Sequence, residues 1–233
     1  MHDATCVAPP QLNQPRHGYR FSADAVALAE FAQASATDTV LDLCSGCGVV
    51  PILLWQRSPF RYGVGVELDA ELTTLARRNV AQLHLENKIR MVKRDIRFFG
   101  PDDLEDMSPV SRFDLITANP PYWRSDEGRL NPNLQKAAAR HEIFLKLDEV
   151  FAAARRFLKP GGRLYLSHLE SRKREILTNL ERTGLVIRRT QSVSGLSGRL
   201  LFEAHLNEKA SGPNLKFSTP LFQAPCSMHC HSL

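Results

Sequence analysis

Short apolar runs rich in β-branched residues alternate along this chain with longer stretches whose apolar positions recur every three or four residues. Runs at 39–44, 62–67, 89–93, 113–118 and 163–167 read as strands. After the first, Val50, Leu53 and Leu54 mark a helix in which Pro51 is tolerated because it falls in the first turn, where no amide donor is needed. Leu72, Leu75, Ala76, Val80 and Leu83 lie close to one face of a second helix starting at Ala70. A third, 142–158, is expected to stop at Lys159, Pro160, Gly161 and Gly162. A fourth, 172–183, ends where Gly184 suits a left-handed cap. Two last runs, 185–192 and 200–206, are joined by 194–198 without a helix and should pair antiparallel. The pattern predicts an α/β, Rossmann-like, doubly wound seven-stranded sheet, mostly parallel with a C-terminal antiparallel hairpin.

Two stretches do not fit this alternation. Residues 100–111 hold acids, prolines and a glycine and read as a loop with one helical turn. Residues 123–139 form a long polar segment, and insertions of that size in a compact domain tend to be functional. The expected organisation is an N-terminal segment 1–38, one domain 39–208, and a weakly ordered tail 209–233.

Composition narrows the setting. A chain of 233 residues suits one well-buried α/β domain. No apolar run approaches the roughly 18 residues that would span a bilayer, and the start lacks a basic-then-apolar leader, so a soluble, cytoplasmic protein without membrane partners is expected. Five irregularly spaced cysteines do not suggest a disulfide framework. Cys44 and Cys47 form a C-x-x-C inside a glycine turn, and Cys226, His229, Cys230 and His231 lack a second ligand pair at finger-like distance, so no metal is expected. A net charge of +5 is compatible with a phosphate-bearing partner. Arg16, His17 and Arg20 precede the core, while Arg155, Arg156, Arg172, Lys173, Arg174, Arg188 and Arg189 crowd its second half; most read as solvated helix faces.

Ligands of open α/β sheets bind beyond the carboxyl ends of the strands, so the residues after each strand carry the chemistry. The first end is Asp42, Leu43, Cys44, Ser45, Gly46, Cys47, Gly48, whose glycines let the backbone approach a ligand while Ser45 adds a donor. A dinucleotide turn would carry a third glycine where Pro51 stands. A carboxylate at the strand's lip, Asp42, sits poorly beside a pyrophosphate but suits the cationic amino-acid moiety of S-adenosylmethionine. Glu67 can accept from ribose hydroxyls, and Asp95 from the amino group of the cofactor's adenine. Cys44, Gly46, Gly48, Leu68, Ile96 and Asn119 complete the expected cofactor-binding set at these ends.

The fourth end, Asn119, Pro120, Pro121, Tyr122, speaks to the reaction. A nitrogen conjugated to a ring or carbonyl must localise its lone pair before it can attack a methyl sulfonium. The Asn119 side-chain oxygen and the Pro120 carbonyl can each accept one N–H, which aims that lone pair at the methyl group. The two prolines preset the acceptors and Tyr122 offers a ring for stacking. The sulfonium charge is cancelled as the methyl leaves, so no side-chain base is required.

With these residues assembled, the chain resembles the N(6)-adenine branch of class I methyltransferases, and specifically the bacterial tRNA(Val) adenine-N(6)-methyltransferase family. The likeness covers about residues 18–206. Beside the two turns it includes Gly18, Tyr19, Arg20, Phe21, Ser22, Ala23 and Asp24, which looks like the family's segment that closes over the cofactor. It also includes Ala139, Arg140, His141 and Glu142, and the Lys159–Gly162 stretch; Trp123 and the tail depart from the family pattern. The resemblance implies transfer of a methyl group from S-adenosylmethionine to the 6-amino group of adenine in RNA, with tRNA favoured. Arg20 and Phe21 would then touch the cofactor, and Tyr122, Trp123, Arg124 and Arg140 the RNA, through stacking and phosphate contacts that weaken with salt.

Rival readings are a glutamine N-methyltransferase acting on protein, whose amide needs the same two acceptors, a DNA adenine methyltransferase, and a non-catalytic RNA-binding module with a vestigial cofactor pocket. Little chain lies outside the core for the extra domains that the first two usually carry. The intact set Asp42, Glu67, Asp95 and Asn119 argues against decay.

Overall fold

The computed structural model describes residues 10–16, 20–105, 108–120 and 145–207. Expectations for Gly18, Tyr19, Pro121, Tyr122, Trp123, Arg124, Arg140 and the Cys/His tail lie outside the described residues. One seven-stranded sheet forms the middle layer, in the order β3-β2-β1-β4-β5-β7-β6. Its strands are β1 (Thr39–Leu43), β2 (Tyr62–Glu67), β3 (Ile89–Lys93), β4 (Phe113–Ala118), β5 (Leu158–Leu169), β6 (Leu185–Ser192) and β7 (Arg199–Leu206). The first five run parallel, and β7 pairs antiparallel with both β5 and β6, so the doubly wound sheet with its closing hairpin is as expected.

The helices are α1 (Ala23–Phe31), α2 (Val49–Arg57), α3 (Ala70–Gln82), α4 (Leu147–Phe157) and α5 (Lys173–Thr183). Alternate strand residues feed two cores. Val40, Leu115 and Tyr165 pack with α1, α2 and α3 on one face. Leu41, Ile116 and Leu164 pack with α4 and α5 on the other. All five residues of β1 are buried, Thr39 and Asp42 included, because the sheet is covered on both faces. Gly184 caps α5 at φ 71, a left-handed conformation that its missing Cβ permits without penalty.

Several elements differ from the pattern-based expectation. Helix α1 has no signature in the periodicity, because a run of alanines gives no contrast between faces; Ala25, Leu28, Ala29 and Phe31 nevertheless bury it against the core. In α2, Pro51 and Ile52 are buried and Leu53 only partly, so the helix is enclosed more completely than the stripe implied. The described part of the third expected helix begins at Leu147, with an acidic first turn of Asp148 and Glu149 and a basic last turn of Arg155 and Arg156 that both suit the helix dipole.

That helix ends at Phe157, and the chain enters β5 at Leu158 instead of at 163, with the ladder stepping from Phe113↔Leu158 to Leu115↔Arg163. Lys159 is more than a helix stop: its Nζ donates to both oxygens of Asp114 at 2.9 and 2.8 Å. Asp114 also accepts from the Thr39 amide and hydroxyl, tying the amino ends of β1, β4 and β5 together. The arginines differ as well. Arg172 is buried and paired with Glu175, Arg156 donates to the Phe99 carbonyl, and Arg189 lies 3.9 Å over the Phe31 ring while bonding Glu203. These three serve the fold instead of a solvated face.

Candidate active site

The strand order reverses between β1 and β4, and at such a switch the loops diverge and leave a crevice beyond the carboxyl ends. The ladders set what faces it. Leu43 pairs with Val66 of β2 and with Ala118 of β4, so the next residues, Cys44, Glu67 and Asn119, stand level along one edge of the sheet. Glu67 in turn pairs with Lys93, which puts Asp95 two residues past the end of β3. The acids therefore lie on the β1–β3 side of the switch and Asn119 on the β4 side.

The turn after β1 is left-handed at Cys44, Gly46 and Gly48, with φ of 60, 56 and 81. Gly48 is the N-cap of α2, and a side chain there would meet that φ with strain. The Ser45 amide donates to Val66 O at 3.0 Å and the Gly48 amide to Ser45 O at 2.9 Å, so the loop is folded back on β2. Glu67 braces it from the side. One oxygen accepts from the Gly46 amide at 2.8 Å and the other from the Asp69 amide at 2.9 Å. Burial pushes the Glu67 carboxyl above its ordinary range even though these amides favour the charged form.

Asp42 does not sit at the lip. It is 1% exposed beneath the turn, where Ser45 Oγ donates to it at 2.5 Å and Thr117 Oγ1 at 2.6 Å. Burial pushes its carboxyl up to about 7, against the pull of the two hydroxyls. Its place as the fourth residue of β1, whose flanking strands cover it on both sides, explains the difference. Asp95 binds Arg97, with Oδ2 accepting from the guanidinium at 2.5 Å. Burial raises the Asp95 carboxyl, but the Arg97 bonds outweigh it and hold the group below the usual carboxylate range.

Cys44 is half-buried and Cys47 buried, both as free thiols, and burial raises both, so neither is a poised nucleophile. Leu68 is 44% exposed beside Glu67, while Ile96 is buried under Asp95. Asn119 is half-buried and Pro120 buried, directly past β4. Phe21 packs partly buried against the α1–α3 core, and Arg20 is exposed beside it. Among the described residues no group of metal-ligating side chains clusters, and no helix is long and apolar enough to cross a membrane.

Asn79 also shapes this turn, although motif and strand-end position assign it no role. Its side chain holds the Cys47 carbonyl from α3 at 2.9 Å and is completely buried. A polar residue at a position of the α3 stripe that should be apolar was the available signal.

These features agree with what the chain is similar to. Over 159 residues it is 32% identical to the tRNA1(Val) (adenine(37)-N6)-methyltransferase of Porphyromonas gingivalis, covering 66% of this chain and 60% of that protein. The enzyme of the same description from Histophilus somni is 31% identical over 66% of this chain and 63% of its own length. The chain thus spans about three fifths of the relatives it matches. Among solved structures, TrmN from Thermus thermophilus superposes with a TM-score of 0.52 at 23% identity over 78% of this chain and 48% of that one. A geranyl diphosphate C-methyltransferase from Streptomyces coelicolor, bound to S-adenosyl-L-homocysteine, gives 0.56 at 17% over 79% and 78%. At such identities these two speak for the fold, which is that of class I methyltransferases. The model of the methyltransferase small domain matches residues 22–190, and the chain belongs to that family.

Proposed function

We propose that this protein transfers a methyl group from S-adenosylmethionine to the exocyclic 6-amino group of adenine in RNA, with tRNA the favoured substrate and the cytoplasm the expected compartment. The observation that carries this reading is the level placement of Glu67 and Cys44 on one side of the strand-order switch and Asn119 on the other. The acceptor carboxylates fit the cofactor. Backbone amides hold both Glu67 oxygens in place, and a carboxylate has about four lone-pair sites, which leaves capacity to accept from a ribose hydroxyl. Asp95 keeps its charge and stands one strand further along, where an adenine amino group would follow the ribose.

S-adenosylmethionine supplies an electrophilic methyl group on a sulfonium. The chain's own residues have to bind the cofactor, orient the amine and keep its lone pair localised. Asn119 Oδ1 and the Pro120 carbonyl are the acceptors assigned to the two amine hydrogens, and both residues follow directly on the last residue of β4. Two acceptors fixed before the substrate arrives cost no reorganisation as the bond forms. The amine proton then passes to water. The roles of Pro121, Tyr122, Trp123, Arg124 and Arg140 in holding and stacking the base rest on the sequence and on the resemblance it carries. The description borne by the relatives, adenine 37 of a valine tRNA, is the first specific target to test.

The deciding experiment incubates the protein with methyl-labelled S-adenosylmethionine and total tRNA, then digests to nucleosides. Label in N6-methyladenosine is the expected result. Label confined to added protein, or none in nucleosides, would overturn the reading and favour glutamine methylation or a binding-only role respectively.

A further inference from the structure

Asn79 sits in the middle of α3 and is 0% exposed, a costly position for an amide unless every polar atom is met. Every one is met. Nδ2 donates to the Cys47 carbonyl at 2.9 Å and to the Asn13 carbonyl at 3.0 Å. Oδ1 accepts from the Asn13 amide at 2.7 Å and from Asn13 Nδ2 at 2.9 Å. A primary amide offers two donors and two acceptor sites, so its capacity is filled by protein alone.

We propose that Asn79 is a positioning residue for the cofactor turn, and that Asn13, from a stretch far upstream, sets the direction in which it works. The inference rests on the S-adenosylmethionine reading above. Its geometry centres on one peptide unit. The carbonyl of the Cys47–Gly48 peptide is held by Asn79, and the N–H of the same unit by Ser45 O at 2.9 Å. Gripped at both ends, that plane cannot rotate, and it is the plane that launches α2 from the left-handed Gly48. Asn13 turns two donors toward Oδ1, so a flipped amide would set N–H against N–H. The NH2 group is thereby forced toward Cys47. Gln82 Oε1 accepts from Asn13 Nδ2 at 2.9 Å and steadies the upstream stretch on α3. A residue that touches no ligand can in this way decide the shape of the loop a ligand must fit.

Asn79→Asp is the informative change, because it keeps the size and the acceptors and removes both donors. Titration calorimetry with S-adenosylmethionine should give a dissociation constant raised about tenfold, in line with loss of one buried hydrogen bond that shapes a site. With tRNA in excess, the cofactor KM should rise by a similar factor while kcat at saturating cofactor stays within about twofold. Asn179→Asp is the control: that asparagine is also buried, on α5, where its Nδ2 bonds Glu175 O at 3.0 Å far from the turn, and its loss should leave cofactor affinity unchanged. An unchanged dissociation constant in folded Asn79→Asp, or an equal rise in the control, would overturn the inference. If Asn79→Asp does not fold, Asn13→Ala removes one of the two donors to Oδ1 and should raise the constant about threefold; no rise would again overturn it. Failure of the unaltered protein to bind S-adenosylmethionine is a different result, which removes the cofactor reading and this inference together.

Discussion

Asp42→Asn tests whether one buried carboxylate is kept at the expense of stability. The side chain is 1% exposed and lies between two hydroxyls, with the Glu67 charge also raising its carboxyl. Its folded value of about 7 stands above an ordinary 3.8. Between those two pH values the folded protein keeps a proton that the unfolded chain has released, so stability falls as pH rises through the window and levels off above about 7. A displacement of about three pH units corresponds to about 4 kcal/mol at full ionisation. Asparagine carries no charge, and both Ser45 and Thr117 hydroxyls can donate or accept, so the amide can occupy the same place.

The variant should therefore match the parent near pH 4 and exceed it by up to about 4 kcal/mol at pH 8. Urea unfolding followed by circular dichroism, repeated from pH 4 to 9, measures this as a difference between the two proteins. The difference matters because His168 acts the other way. Burial, with Arg172 and Arg199 adding, lowers its imidazole from 6.5 to about 3, so its contribution is present above the unfolded value and is lost as pH falls. Subtracting the curves cancels that common part. A difference that does not grow with pH, or a variant less stable at pH 8, would refute the reasoning. If the Asp42 charge is what the cofactor's amino group needs, the stabilised variant will also bind S-adenosylmethionine less well at pH 8.

The other expectations concern the two sides of the crevice. Asn119→Ala should abolish methyl transfer while leaving cofactor affinity within a few-fold, whereas Glu67→Ala should chiefly weaken cofactor binding, because it releases the Gly46 amide and removes the acceptor proposed for the ribose. Calorimetry beside single-turnover transfer separates the two, and equal effects from both changes would contradict the division of roles. At Cys44, whose φ is 60, valine should cost about 1–2 kcal/mol in urea unfolding and glycine should be neutral or better; a valine variant as stable as the parent would remove strain from the account of the turn.

Much of this molecule was legible in its residues taken in order. The run of strands, the parallel sheet and the hairpin all follow from local periodicity, which also puts Glu67 at the end of β2 and Asp95 just past β3. These features depend on neighbours a few residues apart, which is the range over which a pattern can be read. What only the tertiary structure decided involves partners distant in the chain. The register of β1 between β2 and β4 puts Asp42 under the turn and not at its lip. The Lys159 side chain reaches back to Asp114 and makes a tie of what reads as a helix stop. Asn13 and Asn79 meet across 66 residues, and no local pattern encodes that contact. Periodicity tells which face of an element is buried; which polar atoms are then brought within 3 Å of one another is set by how the finished layers close.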